Sequence, residues 1–101
     1  MSRVRWSLRS RRDLLEIGRF ISRDDPLAAR RWVERLRERA RAAAAVPLAG
    51  RKTPEFDRED IREVLVRTYR IIYRVREGEI QVLTVLEGRR LLGSEVQGEE
   101  D

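Results

Sequence analysis

Residues 69–86 read Tyr69-Arg70-Ile71-Ile72-Tyr73-Arg74-Val75-Arg76-Glu77-Gly78-Glu79-Ile80-Gln81-Val82-Leu83-Thr84-Val85-Leu86. Tyr69, Ile71, Tyr73 and Val75 alternate with Arg70, Ile72, Arg74 and Arg76, the period of a strand with one face buried. Glu77-Gly78 supplies a hairpin turn, with Gly free to take positive φ. The run from Ile80 to Leu86 is rich in β-branched residues and forms the returning strand. If Tyr69 and Tyr73 share the face of Ile71 and Val75, they are core residues. The arginines then lie on the opposite face, as a solvated surface or a binding surface. Arg70 could also pair with a carboxylate such as Glu63 or Glu87 and fix the sheet.

Working upstream, Ile61 to Arg67 forms another strand. Leu48 to Asp60 contains Gly50, Pro54 and many charges, and reads as a loop. Before it, Ala29, Trp32, Val33, Leu36, Ala40 and Ala43 recur at helical spacing, with charges between them. Asp25-Pro26 starts this helix, as a cap followed by Pro at the first helical position. Pro47 ends it near Val46. An earlier helix carries Leu14, Ile17 and Ile21, is capped by Ser7 or Ser10, and runs to about Arg23. The two helices make a hairpin from Leu8 to Val46. Val4, Trp6 and Leu8 alternate with Arg3, Arg5 and Ser7, which predicts a short first strand that joins the sheet beside a later one. Trp6 and Trp32 fall on apolar stripes and are expected in the core. The fold class is therefore α+β: a small twisted antiparallel sheet, in the chain order β-α-α-β-β-β, packed by an N-terminal helical hairpin. Residues 1–93 form the domain and 94–101 an acidic flexible tail.

Charge says who the partners are. Of 101 residues, 41% are charged, and the net charge is +5. Ser94 to Asp101 carries four acids and no base, so the rest holds 23 basic against 14 acidic residues, a net of +9. A body this basic attracts polyanions or an acidic protein. The absence of Cys and His removes disulfides, thiolate metal sites, the usual general base and every Ser-His or Cys-His arrangement. No metal or cofactor is expected. No apolar run approaches the ~20 residues that span a membrane, and no signal-peptide core opens the chain. A cytoplasmic protein without membrane partners is the expectation.

Several spaced elements together resemble the RelE/ParE toxin superfamily: Trp6-Ser7 followed by Asp13-Leu14 and Ile17, Asp25-Pro26 with Ala28-Ala29, and Pro47-Leu48 then Gly50-Arg51 with Pro54-Glu55. Ile61-Arg62-Glu63, the strand Tyr69 to Val75, and Gly88-Arg89-Arg90-Leu91-Leu92 complete the set. The resemblance covers all but the acidic tail. It implies the toxic half of a type II toxin–antitoxin pair, bound by a cognate antitoxin and reaching operator DNA only through the antitoxin complex. RelE-like members cut mRNA on the ribosome; ParE-like members poison DNA gyrase.

Metal-free phosphodiester cleavage needs a base, an acid and cations for the phosphorane. Arg70 and Arg90 match the superfamily's phosphate-binding arginines and are the catalytic candidates of a RelE-like enzyme. Arg62 stands where a pair of lysines is expected, Glu63 brings a negative charge, and no Tyr or His follows Arg90. Arg is protonated at working pH and shuttles protons poorly. A gyrase poison needs only a binding surface, which the long arginine-studded hairpin offers. Arg51, Lys52, Arg62, Arg74 and Arg89 are the further candidates for contact with a target or nucleic acid. The expected activity is thus ParE-like growth arrest through DNA gyrase, with ribosome-dependent mRNA cleavage as the alternative.

Overall fold

A computed structural model describes residues 3–88. In chain order these form β1 (Arg3–Trp6), α1 (Leu8–Ser22), α2 (Pro26–Ala45), a 3₁₀ turn (Pro47–Ala49), β2 (Arg51–Lys52), β3 (Ile61–Val66), β4 (Tyr69–Arg76) and β5 (Glu79–Glu87). The acidic tail, Arg89 and Arg90 lie outside the described residues. The five strands make one sheet in the order β1-β5-β4-β3-β2. β2 to β5 pair antiparallel, while β1 lies parallel to β5, Arg3 opposite Glu79 and Trp6 opposite Val82. A parallel neighbour needs a crossover rather than a hairpin; here the rest of the chain supplies it. β2 falls in the stretch that the sequence reads as loop. Its two residues show no alternation of their own and become a strand only by pairing with Arg62 and Glu63.

Local chemistry sets each junction. Ser7, at the end of β1, caps α1: its hydroxyl oxygen accepts from the Ser10 N–H at 3.0 Å, and its O–H donates to the Leu83 carbonyl at 2.9 Å. One residue thus starts the helix and ties it to β5. β1 stops at Trp6, which leaves the outer edge of β5 uncovered beyond Val82. Asp13 of α1 covers it, accepting from the Val85 N–H at 2.9 Å and the Thr84 hydroxyl at 2.5 Å. An unpaired sheet edge is thereby closed by a side chain. Leu8, which continues the alternation of the first strand, opens α1 as the expected start of the hairpin and is exposed. Asp25 caps α2 by accepting from Leu27 and Ala28 N–H, both at 3.1 Å. Gly78 takes φ 73° in the β4–β5 turn.

The two sheet faces differ. The helices cover Val64, Val66, Ile71, Tyr73, Ile80 and Val82, with Leu14 and Leu36 as the main helical contributions and Trp6, Trp32 and Tyr69 packed at the margin. Ala40, Ala43 and Ala44 are buried; their small side chains let α2 lie close to the sheet. The outer face carries a smaller cluster, Ile61, Ile72, Leu83 and Leu86, covered by Phe56 from the β2–β3 loop. Tyr73 bridges the layers. Its ring is fully buried, and its hydroxyl donates to the Pro47 carbonyl at 2.6 Å. Burial pushes its phenol above the ordinary value. Gly50 is where the backbone passes this hydroxyl: a Cβ there would overlap Tyr73 Oη and stand 2.9 Å from the Glu63 carbonyl.

Gly50→Ala is therefore expected to cost about 1–3 kcal/mol through overpacking. Leu27→Ala, on an exposed position of α2, is expected to stay within about 0.5 kcal/mol of the parent. Urea denaturation checks both; equal midpoints for the two variants would contradict the Gly50–Tyr73 constraint.

Candidate functional site

The outer face of the sheet holds the arginine that the superfamily motif singles out. β4 alternation sends Tyr69, Ile71, Tyr73 and Val75 toward the helices, so Arg70 faces the other way. Glu63 of β3 shares that face and is fully buried, with its side chain 0% exposed. Two arginines hold it. Arg51 reaches Glu63 Oε2 through Nε at 2.6 Å and Nη2 at 2.5 Å, and Arg70 reaches Oε1 through Nη2 at 2.6 Å. On its other side Arg70 meets Glu55 fork to fork, Nη1 to Oε2 at 2.8 Å and Nη2 to Oε1 at 2.7 Å. The chain of charges is Arg51–Glu63–Arg70–Glu55, two of each sign.

Burial grades along it. Side-chain exposure is 59% for Arg51, 0% for Glu63, 6% for Arg70 and 22% for Glu55. Arg70 is held further above its already high ordinary pKa, chiefly by its hydrogen bonds to Glu55; burial opposes this and Glu63 adds to it. Such a guanidinium keeps its proton throughout the working range, and the fork a phosphate would take is filled by a carboxylate. The arrangement can tie three strands and a loop together.

The other predicted residues fall into different surroundings. Arg62 is drawn to the loop, donating to the Glu59 carbonyl at 2.9 Å, the Gly50 carbonyl at 3.0 Å and Glu59 Oε1 at 2.8 Å. Lys52 pairs with Glu59 and Asp57, each at 3.3 Å, and those bonds, Glu59 first, raise its pKa. Arg74 lies opposite Ile61 and Gln81 on the outer face, partly exposed. Arg89 and Arg90 fall outside the described residues. The structure thus gathers Arg51 and Arg70 about Glu63 and leaves Lys52 and Arg62 with Glu59. Glu55 is the partner that spacing does not reveal, because it sits on an irregular loop; Glu63 was legible as a neighbour of Arg70. Among the described residues no three acids, His or Cys come together as metal ligands.

A second feature lies on the outer side of the helical hairpin. A groove of about 500 Å³ runs between α1 and α2, floored by Leu14, Leu15, Gly18, Ala29 and Val33 and rimmed by Arg11, Arg19, Arg30 and Arg37. Arg11, Leu14 and Arg37 continue it toward Arg5 and Trp6 of β1. Gly18 lets the helices approach, since a Cβ there would stand 3.3 Å from Val33 Cγ2. Arg35 stacks on the Trp32 ring at 5.3 Å. The surface is apolar at its floor and cationic at its edge. Among the described residues no helix is long and apolar enough to cross a membrane.

A small mixed sheet with a helical hairpin on one face and arginines on both is the architecture of the RelE/ParE toxins. The chain belongs to that superfamily: residues 4–92 match the family described as the ParE toxin of the type II toxin–antitoxin system parDE. It is 38% identical over 93 residues to Y4kP of Sinorhizobium fredii, covering 87% of this chain and 90% of that one. It is 34% identical to toxin RelE2 of Caulobacter vibrioides over 91 residues, covering 90% of this chain and all of that one. A chain in the solved chromosomal ParDE TA system from P. aeruginosa shares the fold, with a TM-score of 0.70 at 21% identity over 86% of this chain and 96% of that one.

The network makes a stability prediction. Arg70→Ala strands the buried Glu63 and releases Glu55, and should cost about 3–5 kcal/mol. Arg51→Ala removes a more exposed partner and leaves Glu63 bound to Arg70, so it should cost clearly less, about 1 kcal/mol. Chemical denaturation separates the two; a nearly neutral Arg70→Ala would mean the network carries little of the fold.

Proposed function

We propose that this toxin is ParE-like in mechanism: it arrests growth by acting on DNA gyrase and is neutralised by a cognate antitoxin. One observation carries the reading. Arg70, the described residue best placed by motif to bind a scissile phosphate, is buried and held by Glu55 and Glu63. A nuclease needs that guanidinium open to substrate and a proton-transfer group beside it. A gyrase poison needs neither; it needs a shaped surface. The arginine-rimmed groove of the helical hairpin suits that role, and its apolar floor suits an acidic amphipathic segment of an antitoxin.

The test uses the purified chain on gyrase in supercoiling and cleavage assays, alongside induction in bacteria. The expected outcome is growth arrest with lost supercoiling or stabilised cleavage complexes. Growth arrest with unaffected gyrase and transcripts cut on ribosomes would overturn the reading in favour of RelE-like mRNA cleavage.

A further inference from the structure

Strand register collects a second set of arginines on the outer face, away from Glu63. β1 turns Val4 and Trp6 to the helices, which leaves Arg3 and Arg5 on the opposite face. Arg3 lies opposite Glu79, and Arg5 opposite Gln81. From the other side of β5, Arg76 lies opposite the same Glu79 and Arg74 opposite the same Gln81. Two rows result, Arg3–Glu79–Arg76 and Arg5–Gln81–Arg74. With strands about 4.8 Å apart and alternate residues about 7 Å apart, the four arginine Cα atoms frame a patch of about 10 by 7 Å. Glu79 is the acid at its centre, reached by Arg3 at 3.3 Å and by Arg5 at 3.5 Å. One carboxylate cannot balance four guanidinium groups. Glu77 adds a second from the β4–β5 turn. Asp60, whose carbonyl accepts from the Val75 N–H, has its side chain paired with Arg58 at 2.8 Å. The side chains of Arg3 and Arg5 stay 79% and 50% exposed despite Glu79; Arg76 is exposed and Arg74 partly so. Cations on β1 blunt an edge strand. That reason does not reach Arg74 and Arg76, because β4 lies inside the sheet.

This patch differs in kind from the hairpin groove. Its centre is Glu79 and the buried Gln81, where the groove has an apolar floor, so it suits a polyanion better than an amphipathic peptide. The aromatic residues of β1 and β4, Trp6, Tyr69 and Tyr73, face the helices. A single strand of nucleic acid is held largely by stacking its bases on such rings. A duplex keeps its bases stacked on one another and presents phosphates, one charge per about 1.7 Å of axis. We propose that Arg3, Arg5, Arg74 and Arg76 bind the phosphate backbone of duplex DNA without reading its sequence. The chain then has a DNA contact of its own, beside any made through an antitoxin. The site is separate from the hairpin groove, and the inference does not rest on gyrase being the target.

The test is fluorescence anisotropy of short labelled duplex DNAs of unrelated sequence, titrated with the full chain over a series of salt concentrations. The parent is expected to bind all of them alike, with affinity that falls steeply as salt rises. Arg3→Gln and Arg76→Gln together, both exposed positions, should weaken binding about tenfold and lower the salt slope by about 2. Glu79→Gln removes the acid from the centre and should strengthen binding severalfold, a gain that no folding defect would produce. Taking the same two charges from the hairpin, through Arg30→Gln and Arg37→Gln, should weaken binding less. An equal or larger loss from the hairpin pair would overturn the site. So would the lack of a gain in Glu79→Gln, tighter binding of the same sequence as a single strand, or no binding of duplex at low salt.

Discussion

Arg70 sits between two carboxylates on the outer face of the sheet, one from β3 and one from the loop that precedes it. Glu63 is fully buried, so it must be paired where it lies; a buried carboxylate without a partner is among the costlier defects a small domain can carry. Arg70 and Arg51 meet that need from either side. In doing so they fix the register of β2, β3 and β4, and Glu55 brings the β2–β3 loop down over the same face. Phe56, next to Glu55, then covers Ile61, Ile72, Leu83 and Leu86. The second, smaller core exists because the loop is held there.

That constraint divides the molecule into two functional halves. On the outer face, Arg51 and Arg70 are matched by Glu63 and Glu55. On the helical side, the arginines of α1 and α2 line a groove with an apolar floor, and only Glu34 among that groove's lining residues is acidic. A groove so lined suits the acidic partner proposed above. The same superfamily scaffold can host catalysis or pure recognition; the proposal of recognition rests on the carboxylates that hold Arg70.

Much of the fold was legible because it rests on periodicity. The alternation from Tyr69 to Val75 and the turn at Gly78 announced β4 and β5, and the stripe from Ala29 to Ala43 announced the face of α2. Asp25-Pro26 and Pro47 marked boundaries through local chemistry that tertiary context did not override. What escaped depends on distant partners. β2 is a strand only because Glu63 needs Arg51. β1 shows its alternation but not the parallel sense of its pairing with β5. Leu8 continues the alternation of β1 yet opens the helical hairpin, because Ser7 caps α1. At the site, Arg70 was identified by its motif, and Glu63 as a neighbour able to bind it. Glu55 was not, because nothing in the spacing of an irregular loop says which side chain folds onto the sheet. The Tyr73–Pro47 bond was hidden for the same reason.

The account turns on whether Arg70 is a structural cation or an open anion site. Side-chain ¹⁵N spectra of arginine, recorded while inorganic phosphate and then a short single-stranded RNA are titrated into the full chain, test this directly. The account predicts that the Arg70 Nε–H signal stays fixed while signals from exposed arginines of the hairpin move. A shift of the Arg70 signal at the same ligand concentrations, with release of Glu55, would contradict it and return the sheet face to the chemistry of phosphate.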